Sequence, residues 1–452
     1  MASLLEMACE ARAADGESVS SYREGVILNS KSPFSRGSAP PWRDSRRRTR
    51  GRRWRAAGVA AALVATVGVA PSAAAPPPVV AAAAGVTPVA FARTTASGLH
   101  VYAINGHRFG VLTPIHVLNF SGSQYTLKIG IAHRSIDGGR QTPSTMCRTT
   151  AGCVAAVNGD YFNMTPRGEP DPGDEVGGII QNCVLLHTPE ISHQQANLDA
   201  QSVSQGLNWK STVDVNGASV PITAINLELP MSYVKVHLPL TGTLLFTPSY
   251  ALRTPSAMGR VTYQFTQVDE SVSPTTINTT AGLVFVATTT GAVNVAAGQV
   301  DISAPVGSPL ATLQVGDTVS LTTTSTAGCN NIGGHPILID HGVIAPIDPA
   351  DTYMTKPYAR TVIGWTGSGE TVVITVGGKD GRSGATAHQL VSLLQSLNVV
   401  TAIDLDGGRS TTLYANGRVY GGPAHRGERP VSTGLLIVQN SLVNPPTSLL
   451  AP

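Results

Sequence analysis

Residues 383–412 read SGATAHQLVSLLQSLNVVTAIDLDGGRSTT, a stretch that decides the local fold and ends in a dense group of polar side chains. Four leucines follow the i, i+3, i+4, i+7 spacing of an amphipathic helix, namely Leu390, Leu393, Leu394 and Leu397. The spacing predicts a helix over 385–398 that is capped by Ser383 or Thr386. Because β-prone runs at 371–376 and 399–404 flank this helix, we expect a strand–helix–strand unit.

The rest of the chain is typical of a strand-rich protein. Short apolar runs alternate with Gly, Asn, Asp and Pro, and strands are predicted at 98–104, 114–120, 125–132 and 153–158. A section at 213–321, rich in Thr, Val and Ser, predicts further antiparallel strands. The expected fold class is α+β, with mostly antiparallel twisted sheets and one main amphipathic helix packed on a sheet.

The N-terminal residues have the order of parts found in a cleavable secretion signal. A basic block at 46–55 precedes an apolar run at 56–70, and small residues follow at 72–75 and 81–84. The apolar run is too short and too rich in alanine for a stable membrane span. The pair Arg52-Arg53 allows the twin-arginine route as well as the general secretory route. We therefore expect a secreted, extracellular protein.

These patterns predict three parts of the chain. Residues 1–84 form an export signal and low-complexity leader, residues 85–440 form one functional domain, and residues 441–452 form a tail. The section at 213–321 is interpreted as a β-rich elaboration of that domain, since no long linker separates it from its neighbours.

The basic charge of the chain belongs to the leader. The formal net charge is +3, but residues 1–75 carry 12 basic and 6 acidic side chains, which leaves 19 basic and 22 acidic in the remainder. A slightly acidic remainder argues against nucleic-acid binding driven by charge. The expected partner is a glycan or a sugar phosphate, with no nucleic acid and no stable membrane span after removal of the signal.

The cysteines agree with export. Cys9 falls in the leader, which leaves Cys147, Cys153, Cys183 and Cys329, an even number that suits disulfides in an oxidising compartment. A disulfide can close the short loop between Cys147 and Cys153, and a bond between Cys183 and Cys329 would then be long-range. Four cysteines allow three pairings, and the spacing alone leaves all three open.

The acidic loop that follows residue 403 is the first candidate for chemistry. Asp404 and Asp406 project on one face of an extended chain, about 6.5 Å apart along it. Gly407 and Gly408 allow positive φ and close backbone approach, so their N–H groups can hold an anion. Such a loop suits a substrate that carries both a sugar and a phosphate. The structural alternative is a turn with solvated charges.

Two other apolar strands end in polar segments that contain glycine. The first is VAAVNGDYFN at 154–163, where Asn158 can hydrogen-bond sugar hydroxyls and Asp160 can act as a base, a charge stabiliser or a metal ligand. The second is YARTVIG at 358–364, where Arg360 can pair with a phosphate or with an acid. Each also has a structural alternative, which is a common turn for the first and a surface ion pair for the second.

Four segments resemble the phosphodiester glycosidase family in their order and spacing. They are VNGDYFN at 157–163, GGHPILIDHG at 333–342, ARTVIG at 359–364 and the stretch quoted at the opening. The core LDGGRSTT, which follows an amphipathic helix, is the specific part of the match. The closing RPVSTGLLIV is similar to the final arginine and strand of the family. The resemblance covers roughly 98–439, with a looser part from about 181 to 326.

The resemblance implies hydrolysis of sugar-1-phosphodiesters of the α-GlcNAc-1-phosphodiester type, with release of free sugar and a phosphomonoester. By position it implies catalytic roles for Asp160, Asp406 and Arg360. The implied substrate-binding residues lie in the same segments and are Asn158, Gly159, Thr361, Asp404, Gly407, Gly408, Arg409, Ser410 and Thr411. Asp404 lies outside the tightest part of the pattern. Arg409 replaces a frequent third glycine of the loop, a change that adds a phosphate contact or narrows the cleft.

Two alternatives come from other functional classes. The first is a secreted carbohydrate-binding protein without turnover, and the second is a calcium-dependent structural protein with Asp160, Asp404 and Asp406 as ligands. A pure binding site would more often show exposed tryptophan platforms, and only Trp209 and Trp365 follow the leader. The sequence requires no cofactor, allows calcium and assigns no metal ligands. The expected substrates are cell-wall or extracellular polysaccharides.

Overall fold

The computed structural model describes residues 93–94, 99–163, 173–190, 193–227, 242–251, 253–254, 256, 258–379, 382–420 and 427–440. All of these residues belong to one compact unit. The predicted leader at 1–84 and the tail at 441–452 lie outside the described residues, so the signal and the domain limits stay predictions.

The described residues form twenty-six strands and three short α-helices. The strands are β1 (Arg93–Thr94), β2 (His100–Ile104), β3 (Ile115–Ser121), β4 (Tyr125–Ile131), β5 (Cys153–Asn158), β6 (Ile179–Gln181), β7 (Val184–His187), β8 (Gln195–Asn197), β9 (Ser202–Ser204), β10 (Trp209–Val215), β11 (Ala218–Ile222), β12 (Ala224–Ile225), β13 (Leu244–Phe246), β14 (Arg260–Gln267), β15 (Thr279–Thr289), β16 (Gln299–Pro305), β17 (Thr318–Ser325), β18 (Asn331–Gly333), β19 (Ile337–Asp340), β20 (Val343–Ile344), β21 (Arg360–Thr366), β22 (Glu370–Val376), β23 (Val399–Asp404), β24 (Leu413–Ala415), β25 (Arg418–Tyr420) and β26 (Thr433–Gln439). The helices are α1 (Pro143–Arg148), α2 (Thr352–Thr355) and α3 (Ala387–Ser396).

The strands form four sheets. Sheet 1 has the order β1-β2-β3-β22-β21-β23-β19-β20, and sheet 2 has the order β11-β10-β17-β15-β14-β16-β13-β12. Sheet 3 is β7-β6-β18-β8-β9, and sheet 4 is β25-β24-β5-β26-β4. The described pairs of strands are antiparallel apart from β12 with β13. The prediction of a strand-rich, mostly antiparallel fold is confirmed.

Apolar side chains from different sheets share one core. Leu118 and Ile363 of sheet 1 belong to the same buried cluster as Val157 and Leu435 of sheet 4. A second cluster joins Val362 of β21 to α3. Since β21 contributes side chains to both clusters, alternation along a strand gives sheet 1 apolar contacts on its two faces.

Helix α3 begins and ends at identifiable signals. The hydroxyl of Thr386 accepts a hydrogen bond from the amide of Gln389, and the side chain of Gln389 accepts one from the amide of Thr386, which is a capping box. Asn398 lies in the left-handed region with φ 57°, which stops the helix. Leu390, together with the other buried leucines of the helix, lies in the second core cluster.

Two disulfides join the four cysteines that follow the leader. Cys147 is bonded to Cys153, and Cys183 is bonded to Cys329, over separations of 6 and 146 residues. The pairing that we considered for the short loop is therefore confirmed, together with the long-range bond. None of the helices in the described ranges has the length and apolar character needed to cross a membrane.

Candidate active site

The acidic loop after β23 meets the segment that follows β5 through backbone hydrogen bonds. The amide of Leu405 donates to the carbonyl of Thr361 on β21 at 2.7 Å, and the amide of Asp406 donates to the carbonyl of Gly159 at 3.1 Å. The amide of Gly159 itself donates to Thr433 of β26 at 2.9 Å. The three polar segments that the sequence singles out are thus brought together across sheets 1 and 4.

Asn158 is the side chain that binds these segments to one another. Its Nδ2 donates to the carbonyls of Asp406 at 2.6 Å and Gly159 at 3.3 Å. Its Oδ1 accepts from the hydroxyl of Thr361 at 2.7 Å and from the amide of Thr412 at 3.1 Å. Both donor and both acceptor positions of the amide are used. The geometry therefore gives Asn158 and Thr361 a structural role, and their contact with substrate stays a prediction.

Asp160 is a buried carboxyl with one oxygen anchored by a histidine. Nε2 of His193 lies 2.9 Å from Oδ1 of Asp160. The other oxygen, Oδ2, has no hydrogen-bond partner among the described residues. A Cβ at Gly177 or at Gly333 would come within 2.2 Å or 1.8 Å of Oδ2. Both positions must therefore be glycine for the carboxyl to occupy this place.

Glu175 is a second buried carboxyl beside Asp160. Burial raises the pKa of Glu175 well above its usual value, and the negative charge of Asp160 raises it further. The hydroxyls of Ser432 and Thr433 donate hydrogen bonds to the two carboxyl oxygens, which lowers the pKa and offsets part of the increase. Glu175 is therefore a carboxyl that keeps a proton more readily than an exposed glutamate.

Asp404 forms a fully buried ion pair with Arg360. Nη1 of Arg360 donates to Oδ2 of Asp404 at 3.0 Å, and neither side chain is exposed to solvent. Burial raises the pKa of Asp404 to about 7, although the charge of Arg360 lowers it. The oxygen Oδ1 of Asp404 has no hydrogen-bond partner in the described ranges.

Arg360 has all five of its N–H groups engaged within the protein. Its acceptors are the carbonyls of Ala385, Tyr353 and Lys356, the sulfur of Met354 and the carboxylate of Asp404. Its guanidinium also lies 4.4 Å from the centroid of the Tyr353 ring, within range of a cation–π contact. The geometry thus assigns Arg360 to positioning Asp404, and direct contact with a phosphate stays a prediction.

Gly407 and Gly408 are required by close packing and backbone conformation. A Cβ at Gly407 would lie 2.3 Å from the hydroxyl of Tyr353 and 2.6 Å from the carbonyl of Ala359. Gly408 has φ 56°, and its amide donates to the carbonyl of Ala359 at 2.8 Å. Since this amide is already bonded, an anion at Gly408 would have to displace the carbonyl of Ala359.

The end of the loop presents one cation and two hydroxyls. Arg409 is exposed, whereas Ser410 and Thr411 are buried. The hydroxyl of Ser410 accepts a hydrogen bond from Arg429 at 3.1 Å. The hydroxyl of Thr411 has no partner among the described residues. Arg409 is therefore the loop cation that is accessible to an anionic substrate.

Three residues of the site were not predicted from the sequence. His193 belongs to no recognisable motif, and Glu175 lies in a segment whose only clear feature is its content of Gly and Asp. Tyr353, which packs under Arg360, precedes it by seven positions in an unremarkable segment. Only the arginine of the closing RPVSTGLLIV, Arg429, carried a signal in the sequence.

The described residues contain no group of three or more His, Cys, Asp or Glu side chains that could hold a metal ion. Two of the three carboxyls considered as calcium ligands are already paired, Asp160 with His193 and Asp404 with Arg360. The calcium alternative, and any cofactor requirement, stay predictions.

Three buried carboxyls, those of Asp160, Asp404 and Asp406, lie at or just after the ends of β5 and β23, and the loop that follows β23 carries the exposed Arg409. Residues 261–438 match the phosphodiester glycosidase family. The resemblance stated from the motifs is thus confirmed over these residues, which include Arg360, Thr361 and the loop from Asp404 to Thr411. The match covers less than half of the chain and shows that this part is similar to that family. Asp160 and Asn158 lie outside the matched range and join the site by geometry.

Solved structures with similar folds come from bacteria. A hypothetical protein from Synechocystis is 19% identical with a TM-score of 0.58, and the alignment covers 76% of this chain and 62% of that protein. A Burkholderia pseudomallei protein described as a candidate exported protein is 17% identical with a TM-score of 0.55, covering 72% and 74%. The present chain thus spans less than two thirds of the Synechocystis protein. These two likenesses concern the fold alone.

A third similar structure is the catalytic domain of zebrafish N-acetylglucosamine-1-phosphodiester alpha-N-acetylglucosaminidase, auto-inhibited by its pro-peptide. It is 17% identical, and the alignment covers 77% of this chain and 81% of that one, with a TM-score of 0.35. A score this low carries no structural argument. A comparison with curated proteins gives no match.

Proposed function

We propose that the protein is an exported hydrolase that cleaves the glycosidic bond of sugar-1-phosphodiesters of the α-GlcNAc-1-phosphodiester type. The products are free sugar and a phosphomonoester, and the substrates belong to cell-wall or extracellular polysaccharides. The observation that carries the proposal is the backbone hydrogen bond between Gly159 and Asp406. It brings the carboxyl of Asp160, anchored by His193, to the loop that matches the phosphodiester glycosidase family.

Asp160 and Asp406 have different roles in the proposed hydrolysis. His193 holds Oδ1 of Asp160, which leaves Oδ2 to accept a proton from the attacking water. The water oxygen bonds to the anomeric carbon while the bond from that carbon to the phosphate oxygen breaks. Asp406 stabilises the positive charge that develops on the sugar. The phosphate leaves as a phosphomonoester without needing a strong acid, because it is a weakly basic leaving group.

The negative charge on the phosphate also needs a partner. Arg360 is committed to Asp404 and to backbone carbonyls, whereas Arg409 is exposed at the loop. We therefore assign the phosphate contact to Arg409 and the support of Asp404 to Arg360. Ser410 and Thr411 then provide hydroxyls beside the reacting bond.

Export rests on the leader pattern and on the two disulfides, which suit an oxidising compartment. A test of the whole proposal is to incubate the purified protein with the methyl phosphodiester of α-GlcNAc-1-phosphate and to measure free N-acetylglucosamine. We expect release of sugar, both with and without EDTA. A folded protein that binds the compound without releasing sugar would support the carbohydrate-binding alternative. Loss of folding or binding on chelation would support the calcium alternative.

A further inference from the structure

A cleft of about 600 Å³ lies beside β4, apart from the candidate active site. Its volume falls within the range of roughly 300–1,000 Å³ that is usual for small-molecule sites. The residues that line it come from β4, α1, β6, β7, β26 and the loops next to them, together with one residue that follows β13. None of the residues assigned above to the catalytic site is among them.

The described residues that line the cleft include two cations and no acid. Lys128 and Arg134 line it, and no Asp or Glu is present among its described lining residues. Both side chains are exposed, and neither makes a hydrogen bond or ion pair with another described residue. Two unpaired cations at one concave surface attract anionic groups.

The walls of the cleft are held in place by covalent bonds. Thr149 and Thr150 lie in the loop that the Cys147–Cys153 disulfide closes. Asn182, another lining residue, directly precedes Cys183, which is bonded to Cys329. A concave surface whose lining segments are fixed by disulfides binds with a smaller loss of conformational entropy than a mobile one.

Two of the lining residues have a backbone conformation that is uncommon outside glycine. Arg134 has φ 63° and Asn182 has φ 51°. The left-handed region is rare for a residue such as arginine, and such conformations concentrate at functional sites. Arg134 combines this left-handed conformation with a charged side chain that has no partner in the described part of the chain.

The other lining groups suit hydroxyl-rich ligands more than nucleobases. Gln141, Asn182 and Ser249 supply amide and hydroxyl groups that can both donate and accept hydrogen bonds, whereas the amide of Gln181 already donates to the carbonyl of Ile129. No aromatic side chain is among the described lining residues, whereas single-stranded nucleic acids bind by stacking bases on aromatic rings. The chemistry of the cleft thus matches a chain with both hydroxyls and anionic groups.

We propose that this cleft is a second binding site, for an anionic glycan or polyol phosphate chain. Lys128 and Arg134 bind its phosphate or carboxylate groups, and the amides of Gln141 and Asn182 bind its hydroxyls. The site holds a polymer at a distance from the reacting bond, and the proposal does not depend on the catalytic reaction.

The test uses an oligomer of glycerol phosphate, which has hydroxyls and phosphates but no glycosidic bond to cleave. Binding is measured by titration calorimetry for the wild type and for the double variant Lys128→Ala/Arg134→Ala. We expect the dissociation constant of the double variant to rise at least tenfold, and wild-type binding to weaken as salt increases. Circular dichroism checks folding, and Lys128→Met/Arg134→Gln provides a second pair if the alanine variant misfolds.

A single variant serves as the control for charge. Arg418→Ala removes an exposed cation from β25 and should bind the oligomer as the wild type does. The proposal is wrong if the wild type does not bind, if the double variant binds equally well, or if Arg418→Ala weakens binding as much as the double variant.

Discussion

Nε2 of His193 lies 2.9 Å from Oδ1 of Asp160, and both side chains are almost completely buried. The histidine comes from a segment 33 positions away that carries no catalytic motif. A buried carboxylate held at one oxygen presents the other in a fixed direction, which is the arrangement that a general base needs. The histidine of this pair is one of the site residues that sequence patterns did not reveal.

His193 should act as a positioning residue for Asp160. We expect His193→Ala to lower kcat by about 100-fold. KM should change little, because the substitution disturbs the orientation of the base and removes no contact with the substrate. His193→Gln, which retains an N–H donor, should recover part of the activity. The measurement is steady-state release of free sugar, together with its pH profile.

His388→Ala is the matched control, since His388 is exposed on α3 and should leave kcat unchanged. An equal loss of activity in the glutamine and alanine variants, accompanied by lowered thermal stability in both, would indicate that His193 has only a structural role.

Arg360 should contribute mainly to stability. Removal of one member of a buried ion pair leaves an uncompensated charge and typically costs about 3–5 kcal/mol. We therefore expect Arg360→Met to lower the free energy of unfolding by about that amount, measured by urea denaturation. Arg409→Met, at an exposed position, should change it by less than about 0.5 kcal/mol. If Arg360→Met instead raises KM at unchanged stability, then Arg360 contacts the phosphate directly.

Arg409 should contribute to substrate affinity. We expect Arg409→Ala to raise KM by about tenfold at low ionic strength, with kcat and the melting temperature unchanged, because an exposed cation attracts the anionic substrate. The KM values of Arg409→Ala and the wild type should converge as the salt concentration increases. Arg418→Ala, which removes a cation of similar exposure on β25, should behave as the wild type. A KM for Arg409→Ala equal to that of the wild type at every salt concentration would show that Arg409 does not bind the substrate.

Asp404 should make stability depend on pH. Its pKa in the folded protein is raised from 3.8 to about 7, so the folded state binds a proton that the unfolded state has released between these values. The contribution of Asp404 to the free energy of unfolding therefore falls as pH rises from about 4 to about 7, by at most about 1.4 kcal/mol per pH unit. Asp404→Asn should remove this component of the slope. An identical slope for the variant and the wild type in urea denaturation across this range would contradict the assignment.

The sequence predicted local elements well because they depend on neighbouring residues. Strands β5 and β23 have the bounds that alternation and apolar runs predict, Cys153–Asn158 and Val399–Asp404. The helix predicted at 385–398 is shorter, Ala387–Ser396. Its first predicted residue, Ala385, instead forms a bridge with Tyr358, and Thr386 takes the capping position. A backbone contact with the segment that precedes β21 thus overrides the local helical pattern.

Long-range partners could not be predicted in the same way. A turn with solvated charges was one interpretation of the acidic loop, but Asp404 and Asp406 are buried, and β24, which follows the loop, pairs with β5 in another sheet. The sequence around Arg360 fitted a phosphate or an acid equally well, and only packing shows that Asp404, three backbone carbonyls and the sulfur of Met354 use all of its donors. Three of the four side-chain hydrogen bonds of Asn158 are likewise made with residues more than 200 positions away.

The central claim is that Asp160 and Asp406 together hydrolyse a sugar-1-phosphodiester, and the most direct test is release of N-acetylglucosamine from its methyl phosphodiester by wild type, Asp160→Asn and Asp406→Asn. Asp214→Asn, at an exposed position on β10, is the matched control. We predict that the wild type and Asp214→Asn release sugar at equal rates. Each of the other two variants should lose at least about 1,000-fold in kcat while remaining folded. Unaltered turnover in both Asp160→Asn and Asp406→Asn, or no turnover by the folded wild type, would contradict the account.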